Sequence, residues 1–223
     1  MAQSKIEAML LDPEFDYLQP YFYNHPWALR CELGLGADRA SQIQTARARA
    51  RQIHAILFPH GADLIAFNYW LLDWSDSGEA EGTLYRDSAK EVEDRLRREQ
   101  RALRFLSEMQ MKYRHVSVKN LKTYAAPGEP EFETMRRNRI VCYADGLGFD
   151  DPALLDGQIE SEENAEVSLV STEHECILSV YDDRGCDIVF ADREHMLAFY
   201  DRLRPFFLAY DLAEMERRRR NEG

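Results

Sequence analysis

ECILSVYDDRGCDIVF, Glu175 to Phe190, reads as two short strands around a turn. Before Tyr181, the residues Cys176, Leu178 and Val180 share one parity, and after Gly185 so do Ile188 and Phe190, which predicts a β-hairpin with one buried face. Between the apolar runs, Asp182, Asp183 and Arg184 form the turn, and Gly185 closes it with the freedom to take a positive φ. Asp187 has the parity opposite to Ile188 and Phe190. Asp192 then stands as N-cap to a helix over Arg193 to Arg204, in which Met196, Phe199, Tyr200 and Leu203 recur at helical spacing.

Upstream, Val167 to Val170 extends the hairpin to a three-strand meander. In WALRCELGL, Trp27, Leu29, Cys31 and Leu33 alternate with Arg30 and Glu32, the pattern of a half-buried strand. Ser41 to Phe58 is a helix with Ile43, Ala46, Ala50, Ile53 and Leu57 on one face, and Arg47, Arg49 and Arg51 mainly on others as a solvating basic band. Asp63 to Leu72 has the composition of a central strand, and Arg139 to Tyr143 and the region of Val116, Val118 and Leu121 read as further strands. Ser88 and Glu91 have capping-box spacing and open a helix running to about Met111. A short helix over Lys5 to Leu11 precedes the aromatic group Phe15, Tyr17, Tyr21, Phe22, Tyr23 and Trp27, which serves either packing or recognition. Pro205 starts a last short helix presenting Phe206, Phe207 and Tyr210, and Arg217 to Arg220 is a solvated end.

These elements predict an α/β protein of the α+β type, a mixed or antiparallel sheet packed against several helices with a C-terminal β-hairpin followed by a helix. One domain over 1–223 is expected; if the chain divides, Pro127, Gly128 and Pro130 separate an N-terminal α/β part, 1–126, from a C-terminal ββα part, 131–223.

No apolar run in the 223 residues approaches the roughly 20 needed to cross a bilayer, so no membrane association and a cytoplasmic location are expected. Cys31, Cys142, Cys176 and Cys186, widely spaced and mostly in apolar stretches, read as buried thiols. Residues 150–195 hold 14 acidic side chains against two basic ones, so the whole formal net charge of −12 lies in that window. Such a concentration disfavours nucleic acid and favours a protein partner with a basic surface.

Chemical motifs are sparse. The chain has no HExxH, no GxSxG, no phosphate-binding glycine loop with lysine and no CxxC, and no cofactor or bound metal is expected. Three readings stand. In the first, the chain is a non-catalytic protein-binding module, an immunity-type inhibitor of a basic toxin domain, that uses Glu162, Glu163, Glu166, Asp182, Asp183 and Arg184. A metal-assisted hydrolase would instead gather His174, Asp182, Asp183, Arg184 and His195. The third assigns Tyr181, Gly185, Asp187, Asp192, Tyr210 and Asp211 structural roles, with an Asp183–Arg184 ion pair clamping the turn to the C-terminal helix.

FYNHPWALRCELG (Phe22 to Gly34), the alanine-rich helix after it, YDDRGCDIVFAD (Tyr181 to Asp192) and AYDLAEM (Ala209 to Met215) together resemble a bacterial family known as a domain of unknown function, numbered 3885. Its members carry a similar Asp-Asp-Arg-Gly turn, a following helix and a Tyr-Asp pair near the end. The resemblance picks out Tyr181, Asp182, Asp183, Arg184, Gly185, Asp187, Tyr210 and Asp211, covers both ends of the chain and draws little on Tyr113 to Glu166. It implies no activity, substrate or cofactor.

Overall fold

A computed structural model describes residues 4–12, 15, 21–72, 115–123, 135–143, 152–160 and 166–220. Its strands are β1 (Ala28–Glu32), β2 (Leu64–Leu72), β3 (His115–Thr123), β4 (Met135–Tyr143), β5 (Glu166–Ser171), β6 (Cys176–Val180) and β7 (Gly185–Phe190). Its helices are α1 (Lys5–Leu10), α2 (Tyr21–Asn24), α3 (Arg39–Leu57), α4 (Pro152–Glu160), α5 (Arg193–Leu203) and α6 (Leu212–Arg220), with 3₁₀ turns at Arg204–Phe206 and Ala209–Asp211. The strands form one sheet in the order β1-β7-β6-β5-β2-β4-β3, and every pairing is antiparallel. The architecture is thus α+β, and β5, β6 and β7 are the expected meander. β2 lies between β5 and β4, so strands from 1–126 and from 131–223 share the sheet. The helix expected from Ser88 and the boundary at 127–130 fall outside the described residues.

Parity along the hairpin gives the faces correctly but not their environment. Cys176, Leu178, Val180, Cys186, Ile188 and Phe190 pack into a larger core beneath α3, α4, α5 and α6. Ile177 and Val189, on the other face, pack into a second core with Ile6 and Leu10 of α1, Phe15 and Tyr21. Both hairpin strands are therefore buried on both sides, which overturns the expectation of a single buried face. The N-terminal helix, Phe15 and Tyr21 cover the face that alternation left to solvent, so these members of the aromatic group contribute to packing.

Local chemistry sets the helix ends. Asp38, three residues upstream of the expected start, caps α3 in a reciprocal box with Ser41. Ala46 and Ala50 are buried and let α3 approach the sheet closely. The basic band on α3 is a contact rather than a solvating layer, because Arg51 reaches Asp156 of α4 at 2.6 Å with Arg47 at 3.9 Å from the same carboxylate. Asp192 caps α5 as expected, accepting from the His195 amide at 3.1 Å. Its other oxygen takes Lys5 Nζ at 2.8 Å. Glu175, held at φ 48°, turns its carboxylate onto the first amides of α1, Lys5 N at 3.2 Å and Ile6 N at 2.6 Å. Together these bonds fasten α1 to one end of the meander.

Gly185 serves the opposite end, but not through a positive φ, which among the described glycines occurs at Gly61. Its value is a missing Cβ, since one placed there would stand 2.2 Å from Tyr181 Oη and 2.7 Å from the Cys31 carbonyl oxygen. At Gly157 in α4 a Cβ would meet nothing within 4 Å. Gly185→Ala is therefore expected to lower unfolding stability by about 1–3 kcal/mol. Gly157→Ala is expected to raise it by about 0.5–1 kcal/mol. Urea titration of both variants checks this opposite pair of signs.

Candidate functional site

Two backbone hydrogen bonds fix the pairing of β1 with β7: Phe190 N to Trp27 O at 3.0 Å and Leu33 N to Arg184 O at 2.9 Å. Antiparallel pairs alternate between hydrogen-bonded and non-hydrogen-bonded, so Arg30 and Asp187, directly opposite in the register, form a non-hydrogen-bonded pair. At such pairs side chains approach most closely. The guanidinium and carboxylate meet as a fork, Nε to Oδ1 at 2.8 Å and Nη2 to Oδ2 at 3.1 Å, with both side chains buried. The Phe22 amide donates to the same Oδ2 at 3.0 Å, which fastens α2 to the pair.

Around this fork a site assembles from distant segments. The Arg30 guanidinium carbon lies 4.5 Å from the Tyr23 ring centre, 5.2 Å from that of Phe22 and 5.7 Å from that of Tyr181. The Arg30 carbonyl accepts from Leu208 N at 3.1 Å, and Phe207 bridges to Cys31, so the segment after α5 covers the outer edge of β1. That segment delivers Asp211, whose Oδ2 stands 3.9 Å from Arg30 Nη1, too far for a hydrogen bond. Arg218 of α6 closes the far side. It donates to the carbonyls of Phe22 at 2.6 Å, His25 at 3.0 Å and Ala28 at 2.9 Å, and it pairs with Glu214 at 2.8 Å. Part of the arginine-rich end is thus an anchor, not the fully solvated tail expected from sequence.

The electrostatics follow from burial. Desolvation pulls the Arg30 guanidinium down, but the hydrogen bond and charge of Asp187 outweigh it and leave the pKa above its ordinary value. Burial lifts the Asp211 carboxyl above the ordinary range, against the pull of Arg30. His25 is driven down to about 4 by burial and then by the charge of Arg218. Burial lifts the Tyr181 hydroxyl well above its usual value, and the Cys142 thiol to about 11, so neither is an activated nucleophile at neutral pH.

The residues singled out in the sequence divide between two ends of the meander. Tyr181, Gly185, Asp187 and Asp211 come together at Arg30, with Tyr210 beside Asp211 and 87% exposed. Asp182, Asp183 and Arg184 form the turn next to them. The expected Asp183–Arg184 clamp is not made: Asp182 accepts the Arg184 amide at 2.8 Å and its Nε at 2.7 Å, an Asx-type closure that favours the residue two positions on. Asp183 faces Arg39 at 3.8 Å, and the clamp to the C-terminal segment comes from Arg30 and Arg218.

His174 and His195 lie at the other end. His174 Nδ1 is 2.8 Å from the Leu57 carbonyl oxygen and His195 Nδ1 is 2.7 Å from Asp192. The five residues of β6, about 16 Å at roughly 3.3 Å per residue, separate His174 from the acidic turn, so the expected acid-base cluster is not brought together. Among the described residues no three His, Cys, Asp or Glu side chains gather to hold a metal ion. Glu162 and Glu163 lie outside the described residues, as does the side chain of Glu166. Within the acidic window, Asp156, Glu175, Asp182, Asp183, Asp187 and Asp192 all engage partners inside the molecule.

Sequence reasoning missed Arg30, Arg218 and His25 as parts of a site, and held Tyr23 only as one of an aromatic group. A signal existed for the first: Arg30 and Asp187 are opposite charges, each set alone among apolar neighbours on a strand. Such residues call for a buried partner.

Asp211 and His25 push stability in opposite directions with pH. The folded state holds the Asp211 proton more tightly than the unfolded chain does, so its stabilisation is complete below the ordinary value of 3.8 and lost as pH rises through the raised one. Asp211→Asn is expected to be more stable than the parent at pH 7, the gap closing toward pH 3. His25 favours the neutral ring, so its stabilisation is present above 6.5 and lost as pH falls through about 4. His25→Gln should flatten that acid limb. Urea midpoints between pH 3 and 8 measure both; a parent more stable than Asp211→Asn at pH 7 would contradict the first.

Among the described residues no helix is long and apolar enough to cross a membrane. No curated protein and no solved structure matches the chain. A family model does, described as a domain of unknown function (DUF3885), and its match runs over residues 8–211, from α1 through Arg30 and Asp187 to Asp211. With nearly the whole chain matched, this protein belongs to the DUF3885 family.

Proposed function

We propose that the chain is a non-catalytic protein-binding module whose contact surface is the end of the sheet carrying the Asp182–Gly185 turn. One observation carries this reading: the exposed large apolar side chains among the described residues, Tyr23, Leu35, Tyr181 and Tyr210, all belong to that end. Tyr23 and Tyr181 flank Arg30. Tyr210 adjoins Asp211. Leu35 follows Gly34, whose Cα packs on the Asp183 backbone so closely that a Cβ would fall 2.4 Å from its carbonyl oxygen.

Tyrosine supplies large contact area with little rotamer freedom to lose, and such residues dominate the energetics of interfaces. Here the rings stand on a frame held by the buried fork, so little ordering remains for binding to supply. Asp182, Asp183 and Arg184 line the same end as a polar rim. The partner this supports is a protein with a basic surface, in the form of a toxin domain inhibited by an immunity-type protein. The chain's net charge of −12 favours such an encounter.

The test is capture from a bacterial lysate at low and high salt, with Tyr210→Ala beside the parent chain. Tyr210 is so exposed that its loss leaves the fold intact, so stability serves as the control. The parent is expected to retain a basic protein in stoichiometric amount, less of it at high salt, and Tyr210→Ala at least about tenfold less, as a hot-spot residue would. Equal retention by both chains, or none by the parent, would contradict the assignment.

A further inference from the structure

We infer that the tyrosine-ringed end of the sheet receives a cationic side chain, an arginine or lysine of the protein partner, with Asp211 as its counterion. The inference rests on the protein-binding reading above and names what that surface recognises.

The pairing of charged side chains points to it first. Arg184 is matched by Asp182 and Arg39 by Asp183, while Arg217 and Arg218 share Glu214. At the centre, Arg30 faces two carboxylates and gives its fork to Asp187. Asp211 is left with Nη1 at 3.9 Å and no hydrogen-bonded cation among the described residues. An incoming cation therefore meets a carboxylate that no guanidinium or ammonium group hydrogen-bonds, because the fork of Arg30 is already given to Asp187.

The second observation is independent of charge counting. Asp211 is 5% exposed, and its Oδ2 is shut away from solvent without any hydrogen-bond donor. Buried carboxylate oxygens are ordinarily satisfied, and one left bare is destabilising. A bare acceptor beside exposed rings calls for a donor. Ammonium and guanidinium groups supply donors and positive charge together, and the π faces of Tyr23, Tyr181 and Tyr210 favour cations as well. Tyr210, next to Asp211 and almost wholly exposed, is the side chain best placed to move aside for entry.

Titration of the full chain with N-acetyl-arginine methylamide, followed by the NMR signals of the tyrosine rings, tests this. The citrulline analogue, equal in shape and uncharged, is the control. Saturable shifts with the arginine probe, at least fivefold weaker with the citrulline probe and in Asp211→Asn, are expected. Equal response to the two probes, unchanged response in Asp211→Asn, or no response would overturn the inference. The captured partner separates this claim from the broader one. Retention by Asp211→Asn at the parent level, with loss in Tyr210→Ala, would reject the counterion role and leave the tyrosine surface standing.

Discussion

A guanidinium and a carboxylate buried at the edge of the sheet bind segments more than a hundred residues apart. Arg30 on β1 and Asp187 on β7 meet because their register places them across a non-hydrogen-bonded pair, where side chains converge. Desolvating both charges is expensive, and the fork offsets it only with good geometry and further donors. The 2.8 and 3.1 Å contacts and the Phe22 amide provide these. A slip of one residue in the β1–β7 pairing would send Arg30 to the face of the larger core, away from Asp187, so the pair specifies register as much as it stabilises.

From the fork the rest of the candidate site follows in steps. The Phe22 amide brings α2, and with it the Tyr23 ring, over the guanidinium. The Arg30 carbonyl draws in Leu208, which sets Tyr210 and Asp211 beside the same charge. Arg218 then ties α6 to three carbonyls between α2 and β1. Gly185 gives the Tyr181 hydroxyl room on β7. Exposed rings on so constrained a frame are a rigid presentation, and rigidity lowers the entropy lost on association. The bare Oδ2 of Asp211 is one of six buried side-chain polar atoms without a hydrogen-bond partner among the described residues, and it is the one that lies beside Arg30.

Much of the fold was legible in local patterns. Strand parity in Cys176 to Phe190 assigned the correct residues to the larger core, and Asp192 was readable as a cap because an N-cap acts within three residues. The alternation of Trp27 to Leu33 placed Arg30 away from Leu29 and Cys31. What parity cannot carry is the partner: Arg30 and Asp187 are 157 positions apart, and nothing local says that β1 lies beside β7. The same limit hid the second core, since the cover over Ile177 and Val189 comes from α1 and Tyr21. A linear count of the charge window leaves out pairing for a related reason, because Arg39, Arg51 and Lys5, remote in sequence, engage carboxylates within it.

A double-mutant cycle on Arg30 and Asp187, read by urea unfolding, tests the central role of the fork most directly. Arg30→Met and Asp187→Leu each strand a buried charge and are predicted to cost about 3–5 kcal/mol, while the double variant, with two apolar side chains in place of the pair, recovers at least about 2 kcal/mol of the sum. Single losses below about 1 kcal/mol that add without coupling would show that the pair does not hold this end of the molecule together.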